Sequence, residues 1–253
     1  MSQRWKITIE YNGTPYAGWQ RQQSDPSVQQ AIEEAIYAFS GETVKIHAAG
    51  RTDAGVHALG QVAHFDLKKD YEAKNIRDAI NYHLREHPVA ILQADAVDDA
   101  FHARFGALKR YYCYRLTINR PAKLILENKR SWHIRHDLDI DAMQKGAQFL
   151  IGKHDFTTFR AVACQSNSPI KTIDDIKITE NTDYLFPGRQ IFIHINARSF
   201  MYHQVRNIAG TLKLVGSGKW QPQDVKKSLE AKNRCQGGPT APAHGLYFMK
   251  VDY

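Results

Sequence analysis

The chain reads as an α+β protein made of two pseudo-symmetric ferredoxin-like halves. Three observations predict this. Strict apolar–polar alternation marks strands, and apolar residues spaced three and four apart mark helices. Along the first half these follow one another as β-α-β-β-α-β, the split βαβ unit. Along the second half a similar order returns without any residue-level repeat.

The elements follow in order. WKITIEY at 5–11 alternates as a half-buried strand does, and Asn12-Gly13 ends it as a turn pair. Pro26-Ser27 opens a helix with Ala31, Ile32, Ala35, Ile36 and Phe39 as its apolar stripe, and Gly41 stands where a C-cap glycine belongs. Two short strands, 44–49 and 60–66, flank a loop at 50–55. A second helix covers 73–84, with Ile76, Ala79, Ile80 and Leu84 on one side, and 88–97 is another strand. In the second half, 110–118 is a strand and 141–151 a helix with Met143, Ala147, Leu150 and Ile151 on its buried side. Strands follow at 173–179 and 190–197, then a long helix at 201–215, an extra helix at 224–231 and a closing strand at 245–252. The expected domains are 1–105 and 106–253. No flexible linker separates them, which favours one continuous, mainly antiparallel sheet with the helices packed on one face and a cleft between the halves.

With 253 residues, 43% of them hydrophobic, the chain can bury a core. Lys and Arg number 34 against 26 Asp and Glu, and the net charge of +8 suits a polyanionic partner. Cys113, Cys164 and Cys235 form no CxxC pair, so neither a disulfide framework nor a zinc ribbon is expected. The start shows no apolar leader, and no apolar run reaches the length of a membrane span. The expectation is a soluble, cytoplasmic protein with no membrane partner.

The densest segment is AAGRTDAGVH at 48–57. Gly50 and Gly55 bracket Arg51 and Asp53, and small Ala54 clears space beside them. A loop so stripped, between two strands, presents Asp53 on a rigid frame as a nucleophile or base. Taken alone it reads more readily as an Asx turn or a surface Arg–Asp pair. A metal site is not expected, since no second acidic cluster is nearby and His57 and His64 lack a ligand spacing.

GRTDAGVHA resembles the signature of the tRNA pseudouridine synthase A family, enzymes of the tRNA anticodon stem-loop. YNGTPYAGWQRQ, FHARF at 101–105, RYYCY at 110–114, DFTTFR at 155–160, MYHQVRNIAG at 201–210 and APAHGLYF at 241–248 match it in the family's order. The resemblance implies a pseudouridine synthase fold and isomerisation of uridine to pseudouridine at tRNA positions 38, 39 and 40, without cofactor or metal. It makes Asp53 the catalytic carboxylate and Tyr112 the ring that stacks on the target base, and it also offers Tyr112 as the base for the C5 proton. It pairs Arg206 with Asp53, lets Arg51 help hold the extruded nucleotide, and lines the pocket with Gly245, Leu246 and Tyr247. The implied partners are the tRNA anticodon stem-loop and a second copy of the chain, as a homodimer.

Physics is compatible with these roles. A uracil inside a stem must be extruded before it can react, and an aromatic face compensates lost stacking by about 1–3 kcal/mol. Helical arithmetic puts Met201, Val205, Ile208, Ala209, Leu212 and Val215 on one buried arc and Arg206 on its flank. Arg21, Arg104, Lys109, Arg110, Arg115, Arg160, Lys171 and Arg198 lie in or beside the matched segments and are expected to contribute to an RNA surface. The competing readings are a non-catalytic RNA-binding module, which would not need Asp53, a hydrolase using Asp53 with a histidine such as His57, and a pseudouridine synthase for another RNA.

Overall fold

The computed structural model describes residues 2–164, 166, 168–181 and 188–253. The chain divides into two compact units, one of residues 1–108 with 248–253 and the other of residues 109–247.

The first unit begins with β1 (Gln3–Tyr11), whose Trp5, Ile7, Ile9 and Tyr11 all point into the core. Helix α1 (Val28–Ser40) follows. The Ser27 hydroxyl accepts from the Gln30 N–H at its start, and Gly41, at φ +74°, ends it in the left-handed region. Ala31, Ile32, Ala35 and Ile36 are buried as their spacing predicts, and Phe39 packs edge-on against Tyr71. Strand β2 (His47–Ala48) is much shorter than the expected 44–49. The Ile46 N–H bonds to the Glu33 carboxylate and not to a neighbouring strand, so the ladder starts only at His47. Strand β3 (His57–Leu67), helix α2 (Ala73–His83) and strand β4 (Val89–Val97) complete the run. β1 lies between β3 and β4 and is antiparallel to both, and β2 pairs with β3 through His47–His64 and Ala48–Ala63.

The second unit begins with β5 (Lys109–Ile118), which pairs antiparallel with a later strand and parallel with the short β6 (Trp132–Ile134). Helix α3 (Ile140–Gln148) stops short of the expected 151, because residues 149–151 close three-residue turns onto 146–148. Strands β7 (Gly152–Asp155), β8 (Ile170–Asn181) and β9 (Arg189–Ala197) extend the antiparallel order β5-β9-β8-β7. β6 and β7 are too short for alternation to mark them. Helix α4 (Gln204–Gly216) starts three residues later than the expected 201, because His203 adopts φ +61° and the Gln204 side chain closes a turn onto the Met201 N–H. Met201, Val205, Ile208, Ala209, Leu212 and Val215 are buried as the arithmetic predicts. Helix α5 (Pro222–Glu230) and strand β10 (Leu246–Asp252) follow, and the last residues of β10 belong to the first unit, where the Met249 carbonyl lies against Gly60. All three cysteines are free, and burial pushes the Cys113 thiol up to about 12. Among the described residues no helix is long and apolar enough to cross a membrane.

Candidate active site

The Asp53 loop joins β2 to β3, and its backbone is pinned from both sides. On one side the Trp19 N–H donates to the Thr52 carbonyl at 3.0 Å, and Gly18 forms a β-bridge with Asp53. On the other, the Gln61 amide donates to the Gly50 carbonyl at 2.8 Å and the Ala49 N–H to Val62 at 2.8 Å. Inside the loop the Val56 N–H closes a turn onto the Asp53 carbonyl at 3.1 Å, and Gly55 supplies the φ of +77° that this turn requires. The Thr52 hydroxyl is buried 2.8 Å from the Tyr11 hydroxyl, whose burial pushes its pKa up to about 12 and keeps it protonated.

The 11–19 segment fits this loop closely enough to dictate two glycines. A Cβ on Gly13 would stand 1.9 Å from the Val56 carbonyl oxygen, and one on Gly18, itself at φ +112°, would stand 2.7 Å from the Thr52 oxygen. The Gly13 N–H also donates to His57 Nδ1 at 3.1 Å, so His57 is a buried structural acceptor. Asp53 is half-buried and Arg51 exposed on this frame. Tyr11, Gly13, Gly18, Thr52 and Gln61 have no role in the sequence reading of the site. The matched YNGTPYAGWQRQ segment was the one signal that pointed to the first three.

Tyr112, Arg206, Leu246 and Tyr247 all belong to the second unit. Tyr112, on β5 opposite Ile195, is buried, with its ring edge-on to Phe200 at 5.2 Å. Tyr114, two residues further along β5, is wholly buried, and its hydroxyl donates to the Pro242 carbonyl at 2.7 Å. Its ring leaves no room at Gly245, where a Cβ would sit 2.6 Å from Tyr114 Cζ. Arg206 is half-buried on the flank of α4, and its Nε donates to the Ala241 carbonyl at 2.8 Å. Leu246 and Tyr247 open β10. The Tyr247 hydroxyl donates to the Arg130 carbonyl at 2.7 Å, and Arg115 lies over the Tyr247 ring while pairing with Glu127 at 2.8 Å.

The expected RNA-facing cations divide. Arg110 is buried and donates to the Arg198 carbonyl, so it is a structural residue. Arg115 is engaged with Glu127 and Tyr247, Lys109 with Asp174 at 3.0 Å, and Arg21 with Glu33 at 3.2 Å. Arg104 and Arg198 are exposed.

The glycine-framed Asp53 loop thus belongs to the first unit, and the strand tyrosine Tyr112 and helix arginine Arg206 to the second. The tRNA pseudouridine synthase family model matches residues 7–106 and 147–253. The chain is 52% identical to the tRNA pseudouridine synthase A of Rhodospirillum centenum over 251 residues, 99% of this chain and 100% of that protein. It is also 52% identical to those of Paramagnetospirillum magneticum, covering 99% of this chain and 95% of that one, and Agrobacterium fabrum, covering 99% and 92%. The chain belongs to the tRNA pseudouridine synthase family, whose reaction is the isomerisation of uridine in tRNA. Tyr112 lies between the two segments the family model matches, in a stretch that the full-length relatives do cover.

Proposed function

We propose that this enzyme converts uridine to pseudouridine at positions 38, 39 and 40 of the tRNA anticodon stem-loop, as a cytoplasmic homodimer, with Asp53 as its catalytic carboxylate. Each of the two units is a ferredoxin-like half of a pseudouridine synthase fold. The observation that carries this reading is the pinned Asp53 loop: its carboxylate stands on a backbone tied down at Thr52, Gly50 and Val56. Preorganisation of this kind is what a reaction without cofactor needs, since position and charge are all the protein supplies.

In the reaction the N1–C1′ bond of uridine breaks, the base turns, C5 joins C1′, and the C5 proton is lost while N1 gains one. Asp53 begins it by attacking C1′ or by taking the C2′ proton. Tyr112 supplies the ring against which the extruded base stacks. Arg206 supplies a positive charge to the reaction, and Arg51 holds the nucleotide from the Asp53 loop. Leu246 and Tyr247 wall the pocket, and the anchored Tyr247 hydroxyl keeps that wall in place.

The test is release of tritium from C5-tritiated uridine in tRNA transcripts. Wild type should release it, with pseudouridine mapped to 38–40, and Asp53→Ala and Asp53→Asn should release none while still binding tRNA. Release that survives in both variants would remove Asp53 from the chemistry. Binding without release by wild type would leave a non-catalytic RNA-binding protein.

A further inference from the structure

The guanidinium of Arg206 is aimed by a loop, and the loop is clamped by residues to which the reaction gives no part. We propose that Asn207, acting through Thr240 and Arg234, is a positioning residue for Arg206; this rests on the reading of Arg206 as a contact in the reaction.

Arg206 and Ala241 are tied twice. The Arg206 Nε donates to the Ala241 carbonyl at 2.8 Å, and the Ala241 N–H donates to the Arg206 carbonyl at 3.1 Å. With Nε committed, the plane of the guanidinium follows the place of residue 241. Ala241 is wholly buried, so it moves only if its whole segment moves.

That segment, 237–242, lies directly on α4. A Cβ on Gly210 would stand 1.7 Å from the Pro239 carbonyl oxygen, and one on Gly238 would stand 2.5 Å from Thr211 Cα. Asn207, 1% exposed, holds the two together. Its Nδ2 donates to the Phe159 carbonyl at 2.9 Å. Its Oδ1 accepts from the Thr240 hydroxyl at 2.6 Å and from Arg234 Nη2 at 3.1 Å. Arg234 also donates to the Gly238 carbonyl at 2.9 Å. The Thr211 hydroxyl, one turn along, donates to the Asn207 carbonyl and accepts from the Gly238 N–H. Tyr114 fixes the far end at the Pro242 carbonyl.

These bonds hold the 237–242 segment against α4, Phe159 and Tyr114, and the Ala241 carbonyl ties that segment to the Arg206 guanidinium. Loosening the clamp therefore acts on the reaction by letting the guanidinium drift. Overall tRNA affinity rests on many phosphate contacts and should change little. A drift of an ångström at a reacting group costs roughly 10–100-fold in rate.

The experiment is a double-mutant cycle on the full-length protein with tRNA, measuring kcat and KM for tritium release, and melting to confirm folding. Thr240→Val removes the hydroxyl that Asn207 accepts from and keeps the shape. Thr240→Ser keeps the hydroxyl. Arg206→Lys keeps the charge and removes the Nε bond to Ala241. Thr240→Val should lower kcat about tenfold with KM within about twofold, Thr240→Ser should restore it, and Thr240→Val should have no further effect on top of Arg206→Lys. An effect of Thr240→Val that multiplies fully with that of Arg206→Lys would overturn the positioning role while leaving Arg206 in the reaction. Wild-type kcat in Arg206→Lys would overturn the role of Arg206 itself, and the positioning role with it.

Discussion

The loop that carries Asp53 and the loop that aims Arg206 solve one problem, holding a short irregular segment still, with different materials. Around Asp53 the ties are chiefly backbone to backbone: Trp19 to Thr52, Ala49 to Val62, Val56 to Asp53. The facing segment gets close by having no side chains at Gly13 and Gly18. Around Arg206 the ties are mostly side chains reaching backbone, from Asn207, Thr211, Arg234 and Tyr114. A backbone lattice depends on the absence of atoms, and a side-chain clamp on their presence. The first should be broken by adding a methyl group, the second by deleting a hydroxyl.

The largest expected effect tests the first half of that contrast. In Gly13→Ala the new Cβ meets a backbone carbonyl 1.9 Å away, and no rotamer relieves it. Either β1's end or the Asp53 loop must move by more than an ångström. Tritium release should fall at least about 100-fold, and the protein should lose about 3 kcal/mol of stability by chemical denaturation. Near-wild-type activity in a folded Gly13→Ala would break the comparison, since the loop would then tolerate displacement.

Acid should loosen the Asp53 side next. The base of the loop is the two-residue ladder of β2 on β3, through His47–His64 and Ala48–Ala63. His64 is 3% exposed, its Nδ1 accepts the Ala103 N–H at 3.2 Å, and its ring faces His47, His102, Arg4 and Asp66. Burial first, then the like charges of His102, Arg4 and His47, push its pKa down to about 4. The unfolded chain therefore takes up this proton before the native one does. The stabilisation is complete above about pH 6.5 and is lost as pH falls towards 4, up to about 3 kcal/mol. Melting wild type and His64→Asn, whose amide oxygen can still accept from Ala103, at pH 7 and pH 4.5 checks this. The acid-induced loss should be smaller in the variant, and equal losses would take His64 out of the account.

The contrast also explains what could be read in advance. Ser27 and Gly41 cap α1 as their positions suggested, because caps are local chemistry. GRTDAGVHA was legible as a loop because a left-handed turn glycine such as Gly55, at φ +77°, leaves its mark in the sequence itself, while the family resemblance is what marked it as a candidate site. The clamp on Arg206 was not: Asn207 meets Phe159, Arg234 and Thr240, up to 48 residues away, and no local pattern encodes such partners. The same reason hid the late start of β2, where Glu33 takes the Ile46 N–H, and the late start of α4 behind a left-handed His203. Arg110 and Arg115 looked like surface charge because burial of a cation is decided by tertiary partners, here the Arg198 carbonyl and Glu127.

The smallest expected effect separates a strained glycine from a crowded one. Gly41 has φ +74°, so an alanine there pays the left-handed backbone penalty, yet nothing lies within 4 Å of the Cβ it would add. The cost should be about 1 kcal/mol, seen as a lower melting temperature, and Gly41→Asn should lose less because asparagine tolerates that region. Tritium release at 25 °C should not change, since the α1 C-cap touches none of the Asp53 ties. If Gly41→Ala and Gly13→Ala instead lose activity to the same degree, then backbone strain anywhere in the first unit is what matters. The fit of 11–19 against the Asp53 loop would then have no special place in holding the carboxylate.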